Sequence, residues 1–596
     1  MTIPSIHRSR SGLLTLLAFA CFSSLMLAAA NAQITTVFYI LLENRCFTSG
    51  TDTTYNNVLF QNKNGGSPYL TALCTPGNTA YTVNYQGNTI SQTAQSSFCS
   101  AYHHVFATYN NTNQSPYGAN VPAGTSVHPS EPNYIFMEAG SNLSILNDNE
   151  PYAASRPSMT GIANFLAANP SFTGENLSAL LQNAGITWTS YTEGTCLLNT
   201  SGQDFNLNLG TLTNNIAPVG TRTVPYKSFS GTSASYTNAY NGSHQYNFAT
   251  KHTGQLFFTA TNGGTVTAGN TSPSNVEAYH YAPLEQLDSD IANNTQAQYC
   301  VITPDQYNDG HTALSANFTY HNYGGTNSGV DQVYTGGSDL ARVAQMDNFC
   351  AIMVPKLMSS PVYQAGHAAI VIWTDETEGS PINDFYHTLT EIVISPYCKG
   401  NAYNSTLNYT HSSDVATVQK IFGVTANTPT GYLNDAANPS NATPNGVTVT
   451  VNSGQGLQTA TGQPFFGFGT GTAQDLSDLF VPGTVPSSLP GLALTPSGYV
   501  FNRKTNTSSQ TVTVTNTLSS AITNPIYLVV GNLSTNTHLN NSAGTTVNSF
   551  PGSPYVSVSP SGLAAGASVT VTLQFAAPTG GAITDTLSTI ITNGAP

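Results

Sequence analysis

Largely apolar runs occur at four places in the first two thirds of the chain. They lie at residues 34–42, 299–303, 368–373 and 389–395, and they lack the polar alternation of a half-buried strand. Such runs predict strands that are buried on both faces, as in parallel sheets. In open α/β sheets, ligands collect outside the carboxyl ends of the strands, so the polar residues that follow these runs are candidate site residues.

Two segments show the apolar spacing of helices. We expect helices at residues 176–184 and 339–358, the second with Asp339 near a possible cap. Strands that alternate with helices predict a parallel sheet with helices on both faces, which is an α/β fold. Residues 191–279 are rich in Gly, Asn, Thr and Ser, which predicts an insertion of loops and irregular strands over the site rather than a separate domain.

The hydrophobic period changes to two after a stretch rich in Pro, Gly and Ser. Residues 482–492 predict a linker between a domain at 33–481 and a second domain at 493–596. Short alternating strands follow at residues 511–515, 526–530, 555–558 and 568–575. This pattern predicts an immunoglobulin-like β-sandwich domain. We expect it to act as a spacer or to contact glycans or the cell surface, and a purely structural role is an equal alternative.

Acidic residues recur where the apolar runs end, although charged residues are only 7% of the chain. Glu43 follows the first run, Asp375 and Glu376 follow the run at 368–373, and Asp309 lies shortly after the run at 299–303. A single carboxylate of this kind is as readily a solvated loop residue as a site residue. Their recurrence at strand ends indicates a site.

A serine lies in a turn that suits a nucleophile, in the segment His128-Pro129-Ser130-Glu131-Pro132-Asn133-Tyr134. Pro132 fixes its own φ and disfavours a helical Glu131, so the chain turns just past Ser130. A helix that begins around Asn133 would aim backbone N–H groups at an anion near Ser130. Turns of this kind are common on protein surfaces, so the segment alone is weak evidence for a nucleophile. The acidic residues at the strand ends strengthen that interpretation.

A series of segments resembles, in the same order along the chain, the secreted acid phosphatases and bacterial phospholipases C. These phosphoesterases belong to the alkaline-phosphatase-like superfamily. The segments are residues 38–45, 128–134, 176–191, 302–311, 354–376, 394–397, 409–422 and 475–480. The resemblance implies an alkaline-phosphatase-like parallel-sheet sandwich domain that hydrolyses phosphoric esters with divalent metal.

The resemblance also implies roles for individual residues. Ser130 is similar to the family's nucleophile, Asn133 to an amide that holds a phosphoryl oxygen, and His128 is a further catalytic candidate in the same segment. The residues that resemble a first metal cluster, completed by Ser130, are Glu43, Asn44, Asp375 and Glu376. Those that resemble the ligands of a second metal position are Asp309, His311 and His411.

Substrate contacts are less well defined by the resemblance. Family members often have a lysine or arginine, a histidine, an asparagine and a proline in a row, where this chain has Tyr279-His280-Tyr281-Ala282-Pro283. We expect His280 to keep the role that faces phosphate. His104 is a second candidate, and its neighbour His103 remains an alternative to it.

The chemistry of these residue types agrees with a metal-dependent hydrolase. A serine hydroxyl must be activated before it attacks phosphorus. Oxygen ligands suit Mg, Ca or Mn, and histidines suit Zn, so the identity of the metal stays open. The chain contains neither a C-x-x-C pair nor a GxxxxGK[ST] loop, so neither a cysteine zinc site nor nucleotide-dependent phosphoryl transfer is expected.

The N-terminus and the cysteines indicate export. A basic start, an apolar core and a small-residue cleavage site predict a signal peptide at residues 1–32, and no later stretch is long enough for a transmembrane anchor. We therefore expect a secreted protein, extracellular or periplasmic. Seven of the 8 cysteines follow the signal, and we expect most to be paired, with Cys74–Cys99 preferred and the other pairings open. A net charge of −14 argues against nucleic acid as a partner.

Three functions are compatible with the sequence. The first is an acid-phosphatase-like, metal-dependent enzyme that hydrolyses small phosphate monoesters through a phosphoserine intermediate. The second is a phospholipase C or phosphodiesterase on the same site; Ser130 in place of threonine and Tyr134 in place of arginine argue against it. The third is a catalytically silent surface or adhesion protein, against which the intact set of ligand residues argues.

Overall fold

A computed structural model describes most of the chain in separate ranges. These are residues 34–48, 65–103, 130–141, 174–194, 222–225, 228–234, 236–264, 274–325, 328–376, 388–407, 409–426, 431–437, 475–486, 492–516, 524–531, 536–546, 553–576 and 583–591, with shorter pieces between them. The predicted signal peptide lies outside the described residues.

The strands of the described ranges, in chain order, are β1 Thr36–Leu42, β2 Cys46–Thr48, β3 Thr82–Tyr85, β4 Asn88–Ser91, β5 Ser96–His103, β6 Trp188–Thr192, β7 Phe229–Thr232, β8 Gln245–Phe248, β9 Tyr281–Pro283, β10 Tyr299–Thr303, β11 Phe318–Tyr320, β12 Gln332–Tyr334, β13 Ala368–Thr374, β14 Thr388–Ile394, β15 Tyr403–Ser405, β16 Tyr409–Thr410, β17 Leu492–Pro496, β18 Val500–Asn502, β19 Thr507–Asn516, β20 Ile526–Gly531, β21 His538–Leu539, β22 Gly544–Thr545, β23 Pro554–Ser559, β24 Ser568–Ala576 and β25 Thr586–Ile591.

The α-helices are α1 Pro68–Leu73, α2 Glu131–Ala139, α3 Leu177–Asn183, α4 Thr259–Asn262, α5 Gln286–Asn293, α6 Asp339–Met358, α7 Pro361–Gln364 and α8 His411–Phe422. Short 3-10 helices lie at Gln92–Gln95, Thr250–His252, Gly254–Phe257, Ala278–His280, Asn434–Ala437 and Leu476–Leu479. Within the described residues, no helix has both the length and the apolar character that crossing a membrane requires.

A large mixed sheet forms the centre of the fold, in the order β15-β5-β14-β13-β1-β10-β6-β9, with β16 beside β5 and β2 beside β14. Strands β13, β1, β10, β6 and β9 run parallel to one another. Strand β14 runs antiparallel to β13 and to β5. The sheet is therefore mixed, whereas the sequence predicts a parallel sheet. A largely apolar run indicates a strand that is buried on both faces, but it gives no information on the direction of the strand. This explains why the sequence predicts a parallel sheet where the structure has a mixed one.

Helices cover both faces of the sheet, as the alternation of strands and helices predicts. Helix α6 buries Met346, Phe349 and Met353 against one face, in the same cluster as Ile40 of β1. Helices α2, α3 and α8 pack on the other face, in the cluster that contains Tyr39 of the same strand. Every residue of β1 is buried, as its continuous apolar sequence requires.

The predicted helices begin and end close to the expected residues. Helix α6 spans the expected residues, and its cap is Ser338, whose side chain accepts the Ala341 N–H. Helix α2 begins at Glu131 rather than at Asn133. Its Pro132 lies in the first turn, where backbone N–H groups have no partner within the helix. The missing N–H of the proline therefore costs no helical hydrogen bond.

The predicted cysteine pair does not form. Cys74 and Cys99 are free, buried thiols, as are Cys300, Cys350 and Cys398. Cys74 belongs to the apolar cluster on one face of the sheet and Cys99 to the cluster on the other. Proximity along the chain therefore misled the prediction, because the sheet lies between the two packing environments.

The C-terminal region consists of two antiparallel sheets, ordered β17-β19-β24-β21, with β18 beside β19, and β22-β23-β20-β25. Val514 and Phe575 of one sheet share a buried cluster with Leu528 and Val556 of the other. The period-two pattern thus corresponds to an all-β region with an apolar layer between its sheets. Its immunoglobulin-like topology and its boundaries remain predictions.

Two residues of the predicted linker bear on where the chain can be cut. Val485 belongs to the apolar cluster of the central sheet, and Leu489 is buried beside Gly431. We expect a chain that ends at residue 490 to melt at the temperature of the full-length protein's main transition, since these contacts remain. A chain that ends at residue 481 is the matched control and should melt lower. Calorimetry of the two checks this, and equal melting temperatures or an unfolded longer chain would contradict it.

Candidate metal centre and nucleophile

Four buried carboxylates meet at the carboxyl ends of three adjacent parallel strands. Glu43 follows β1, Asp375 and Glu376 follow β13, and Asp309 lies in the turn after β10. Ligand atoms of Glu43, Asp375 and Glu376 lie within 4.8 Å of one another, and Glu43 forms a second such group with Asp309 and His252. Since parallel strands end at the same edge of a sheet, the order β13-β1-β10 brings these residues together.

Two turns hold the carboxylates in place. Asn44 has a left-handed φ of 55°, which asparagine tolerates, and its backbone N–H donates to Asp375 Oδ1 at 3.0 Å. Gly310 has a φ of 111°, and a Cβ there would lie 2.8 Å from the Glu43 carbonyl oxygen, so the position requires glycine. Arg45, which is fully buried, donates to the Gly310 carbonyl and pairs with Asp339.

Several carboxylate oxygens in the cluster are buried without a hydrogen-bond partner among the described residues. They are Glu43 Oε2, Asp375 Oδ2 and Asp309 Oδ2, the last of which has only an ion-pair contact, 3.6 Å from His252 Nδ1. A buried charged oxygen without a partner is strongly unfavourable, because it has lost its hydration. A divalent cation on these oxygens would supply the missing interaction, so the residues present fit a metal ion.

The electrostatics of the cluster also favour a cation. Burial and the charges of Glu376 and Glu43 raise the pKa of Asp375 well above its usual range. Burial and the charge of Glu43 raise the pKa of Asp309 to about 6. Burial would raise the pKa of Glu43 too, but the charges of His252 and His311 outweigh burial and hold that pKa below its usual range. The charges of the histidines thus offset burial at Glu43, whereas Asp375 and Asp309 are disfavoured as carboxylates by burial and by their acidic neighbours.

His252 belongs to the cluster and was missed by the sequence analysis. It lies in the insertion, in the 3-10 helix Thr250–His252, with Nε2 3.1 Å from Glu43 Oε1 and Nδ1 3.6 Å from Asp309 Oδ2. Its ring stacks on Tyr134 of α2, with the ring centroids 4.7 Å apart. Burial would lower the pKa of His252, but the charge of Glu43 and the bond to Asp309 raise it to about 9.

A signal for His252 exists in the sequence. Lys251-His252 matches the first two positions of the lysine-or-arginine, histidine, asparagine and proline pattern, which the sequence analysis assigned to the segment around His280. The residues after His252 are threonine and glycine. Gly254 is required there because a Cβ would lie 2.3 Å from the Tyr134 carbonyl oxygen.

Ser130 and Asn133 lie at the cluster, at the start of α2. The Ser130 side chain is within hydrogen-bond distance of Glu43 and of Glu376 Oε1, the second at 2.9 Å. Asn133 donates from Nδ2 to Glu376 Oε2 at 3.2 Å. Both side chains are buried. The structure thus brings a serine hydroxyl, an amide and two carboxylates into direct contact.

His411 contacts the cluster through the backbone of Asp375. Its Nε2 lies 2.7 Å from the Asp375 carbonyl oxygen, and its Nδ1 lies 2.8 Å from the Tyr102 hydroxyl and 3.0 Å from Trp373 Nε1. Burial lowers the pKa of His411 to about 3, so the ring is neutral. Both ring nitrogens are occupied, and this arrangement differs from the metal ligation that the resemblance implies.

The other predicted histidines lie apart from the ligand atoms or outside the described residues. His280 stacks on Trp188, with the ring centroids 3.9 Å apart, and its Nδ1 lies 2.7 Å from the Trp188 carbonyl oxygen. His311 is half-buried beside the cluster, and its backbone N–H donates to Asp309 Oδ1 at 2.8 Å. His128 and His104 lie outside the described residues, as does the side chain of His103.

Comparison with known proteins gives a distant likeness to solved structures. No protein-family model matches the chain, and no curated protein matches its sequence. A protein in the alkaline phosphatase superfamily from Vibrio parahaemolyticus is similar at 10% identity and a TM-score of 0.32, covering 67% of this chain and 69% of that one. The lipoteichoic acid synthase LtaP from Listeria monocytogenes is similar at 9% identity and a TM-score of 0.29, covering 66% and 74%.

A phosphonate monoester hydrolase from Silicibacter pomeroyi is similar at 11% identity and a TM-score of 0.29, again covering 66% of this chain and 74% of that one. At such identities and TM-scores, the likeness carries no argument about the fold or the activity of this chain. The resemblance to acid phosphatases and phospholipases C therefore remains a prediction from the sequence.

Metal removal should destabilise the protein, because the buried carboxylates would then repel one another. We expect dialysis against EDTA to lower the melting temperature and a divalent ion to restore it. The matched control is the Glu43→Gln, Asp375→Asn double variant, whose melting temperature should not respond to EDTA. An unchanged melting temperature of the unmodified protein, with metal loss verified by elemental analysis, would show that no structural cation binds here.

Proposed function

We propose that the protein is an exported, metal-dependent phosphoesterase that hydrolyses phosphate monoesters through a phosphoserine at Ser130. The observation that carries the proposal is the contact of the Ser130 hydroxyl with Glu43 and Glu376, inside a buried cluster of unsatisfied carboxylate oxygens. A serine without such surroundings is a poor nucleophile.

The residues around Ser130 suit covalent catalysis. The Ser130 oxygen attacks phosphorus, its proton passes to a carboxylate oxygen of Glu376 at 2.9 Å, and the bond from phosphorus to the alcohol oxygen breaks. The proton that Glu376 has taken from Ser130 passes to the alcohol oxygen as the alcohol leaves. Water then attacks the phosphoserine, which releases phosphate and regenerates the hydroxyl. When bound, a divalent ion would supply Lewis-acid stabilisation of charge on the serine and phosphoryl oxygens.

Groups of the chain also favour a negatively charged substrate. Ser130 occupies the N-cap position of α2 without a side-chain capping hydrogen bond, so the first N–H groups of the helix would favour an anion at this end. His252 contacts the same Glu43 oxygen as Ser130, so a positive charge lies close to the nucleophile. Glu43, Asp375 and Asp309 would bind the metal, while Asn133 could turn its amide from Glu376 to a phosphoryl oxygen.

A monoester is favoured over the choline ester of a phospholipase substrate. The residue after Asn133 is Tyr134, which is buried and stacked on His252, where the sequence comparison expects arginine in phospholipases. The Tyr134 ring is thus held in a contact within the protein, and this position does not match the phospholipase pattern. That departure supports the assignment of phosphate monoesters as the substrate class.

Replacement of Ser130 tests the nucleophile. We expect Ser130→Ala to lower turnover of p-nitrophenyl phosphate by several powers of ten, since covalent catalysis is lost, without a lower melting temperature. Ser130→Thr, which keeps a hydroxyl, is the matched control and should retain measurable turnover. Steady-state rates at saturating metal decide the question, and an alanine variant with half of the unmodified rate would exclude Ser130.

The same assay separates the candidate functions. We expect hydrolysis of p-nitrophenyl phosphate to exceed that of p-nitrophenyl phosphorylcholine, and EDTA to abolish both. A preference for the choline ester would indicate a phospholipase C. Absence of hydrolysis of either ester by metal-loaded, folded protein would favour a catalytically silent surface protein.

A further inference from the structure

A buried polar network lies behind the carboxylate cluster, on the face of the sheet covered by α8. Its members come from β5, β13 and α8. The Tyr102 hydroxyl contacts Asp414 Oδ2 and lies 2.8 Å from His411 Nδ1, while Trp373 Nε1 lies 3.1 Å from that hydroxyl and 3.0 Å from the same imidazole nitrogen. The network ends at the backbone of Asp375, 2.7 Å from His411 Nε2.

Asp375 is held on all sides except one. Its amide N–H donates to the Leu42 carbonyl at 3.1 Å, and its Oδ1 accepts the N–H groups of Asn44 at 3.0 Å and of Glu376 at 2.6 Å. Its carbonyl oxygen accepts from His411. Within the described residues this leaves Oδ2 without a partner, so the bonds to the rest of the residue fix the direction of the one oxygen that is free to bind an ion.

The imidazole of His411 is itself fixed by its neighbours. Nε2 faces a carbonyl oxygen and must carry the hydrogen, so Nδ1 must accept one. Tyr102 has one hydroxyl hydrogen for two nearby acceptors, Nδ1 and Asp414 Oδ2. The Trp373 N–H supplies the second hydrogen, so two donors match two acceptors. Every hydrogen of this set is used, and neither nitrogen keeps a lone pair for a metal.

The path of the chain explains how His411 reaches this place. Strands β5 and β16 run parallel to each other and antiparallel to β14, and therefore in the same direction as β13. The end of β16 thus lies at the edge of the sheet where the carboxylates meet. His411 is the first residue of α8 and directly follows that strand.

We propose that His411 is a positioning residue for the metal centre, held by Tyr102, Trp373 and Asp414, and that it fixes Asp375 as a ligand. This proposal rests on the proposed function, since it concerns the same metal site. Partners that orient ligands from behind a metal site change metal affinity by about 10–100-fold when they are removed. The network should therefore influence ion binding more than overall stability.

Tyr39 provides a matched control for Tyr102. It is also fully buried on this face of the sheet, and its hydroxyl donates to Asp414 Oδ1 at 3.0 Å. Both tyrosines therefore bond the same carboxylate, but of these two described hydroxyls only that of Tyr102 lies within hydrogen-bond distance of His411. Loss of either hydroxyl should destabilise the fold to a similar degree, whereas metal affinity should respond to Tyr102 alone.

The experiment is calorimetric titration of Mn²⁺ into metal-free Tyr102→Phe and Tyr39→Phe proteins, with melting temperatures measured in parallel. We expect Tyr102→Phe to bind Mn²⁺ about tenfold more weakly than the unmodified protein and Tyr39→Phe to bind it within about threefold. Equal affinities of the two variants would overturn the proposal, whatever their melting temperatures.

A second pair of variants keeps the test decisive if Tyr102→Phe does not fold. A glutamine at position 411 can place an amide N–H near the position of Nε2, while a leucine cannot donate. We expect His411→Gln to retain Mn²⁺ affinity within about threefold and His411→Leu to lose about tenfold or more. Equal losses in both would mean that His411 acts as a ligand or as packing only, which would overturn the proposal.

Failure of the proposed function would give a different pattern. In that case the unmodified protein would bind neither Mn²⁺ nor Zn²⁺. Without a metal site His411 could not position a metal ligand, so the proposal would be wrong as well. If the unmodified protein binds metal but hydrolyses no phosphate ester, the affinities of the variants still decide the role of His411.

Discussion

The burial of four carboxylates at one edge of the central sheet is the constraint on which the rest of the structure depends. Strands β13, β1 and β10 are neighbours and parallel, so their carboxyl ends deliver Asp375, Glu43 and Asp309 to one place. Like charges in a buried space repel, and three of their oxygens have no hydrogen bond among the described residues. The surrounding elements reduce this repulsion between the carboxylates but do not remove it.

The protein compensates part of that charge with its own groups. His252 reaches the cluster from the insertion and contacts Glu43, and α2 presents Ser130 and Asn133 to Glu43 and Glu376. These contacts satisfy some oxygens and leave others unpaired. Under the proposed function, a cation would complete the balance, and Ser130, which contacts the same carboxylates, would be the nucleophile.

The sequence predicts well the parts that depend on a single strand or helix. Strand β10 and helix α6 begin and end at the expected residues, because an apolar run and a helical period report burial directly. The acidic residues at the strand ends were found for the same reason. The direction of strand β14 was not predicted, since β14 is buried like its neighbour β13 but runs antiparallel to it.

Features that depend on tertiary contacts were beyond the sequence pattern. His252 lies in a segment without hydrophobic period, and its place beside Glu43 arises from packing against Tyr134. His411 was identified as a candidate residue, but its orientation towards the Asp375 carbonyl depends on Tyr102 and Trp373, which lie on other strands. Burial on opposite faces of the sheet likewise separates the packing environments of two cysteines that are close in sequence.

The central claim is that the buried carboxylate oxygens of Glu43, Asp309 and Asp375 bind a divalent cation. Anomalous diffraction from crystals of the full-length protein grown with Mn²⁺ tests it most directly. We expect an anomalous peak within about 2.0–2.6 Å of oxygens of at least two of these residues, the distance range of divalent ions on oxygen ligands. Well-ordered carboxylates without a peak among them, or a peak bound elsewhere, would contradict the account.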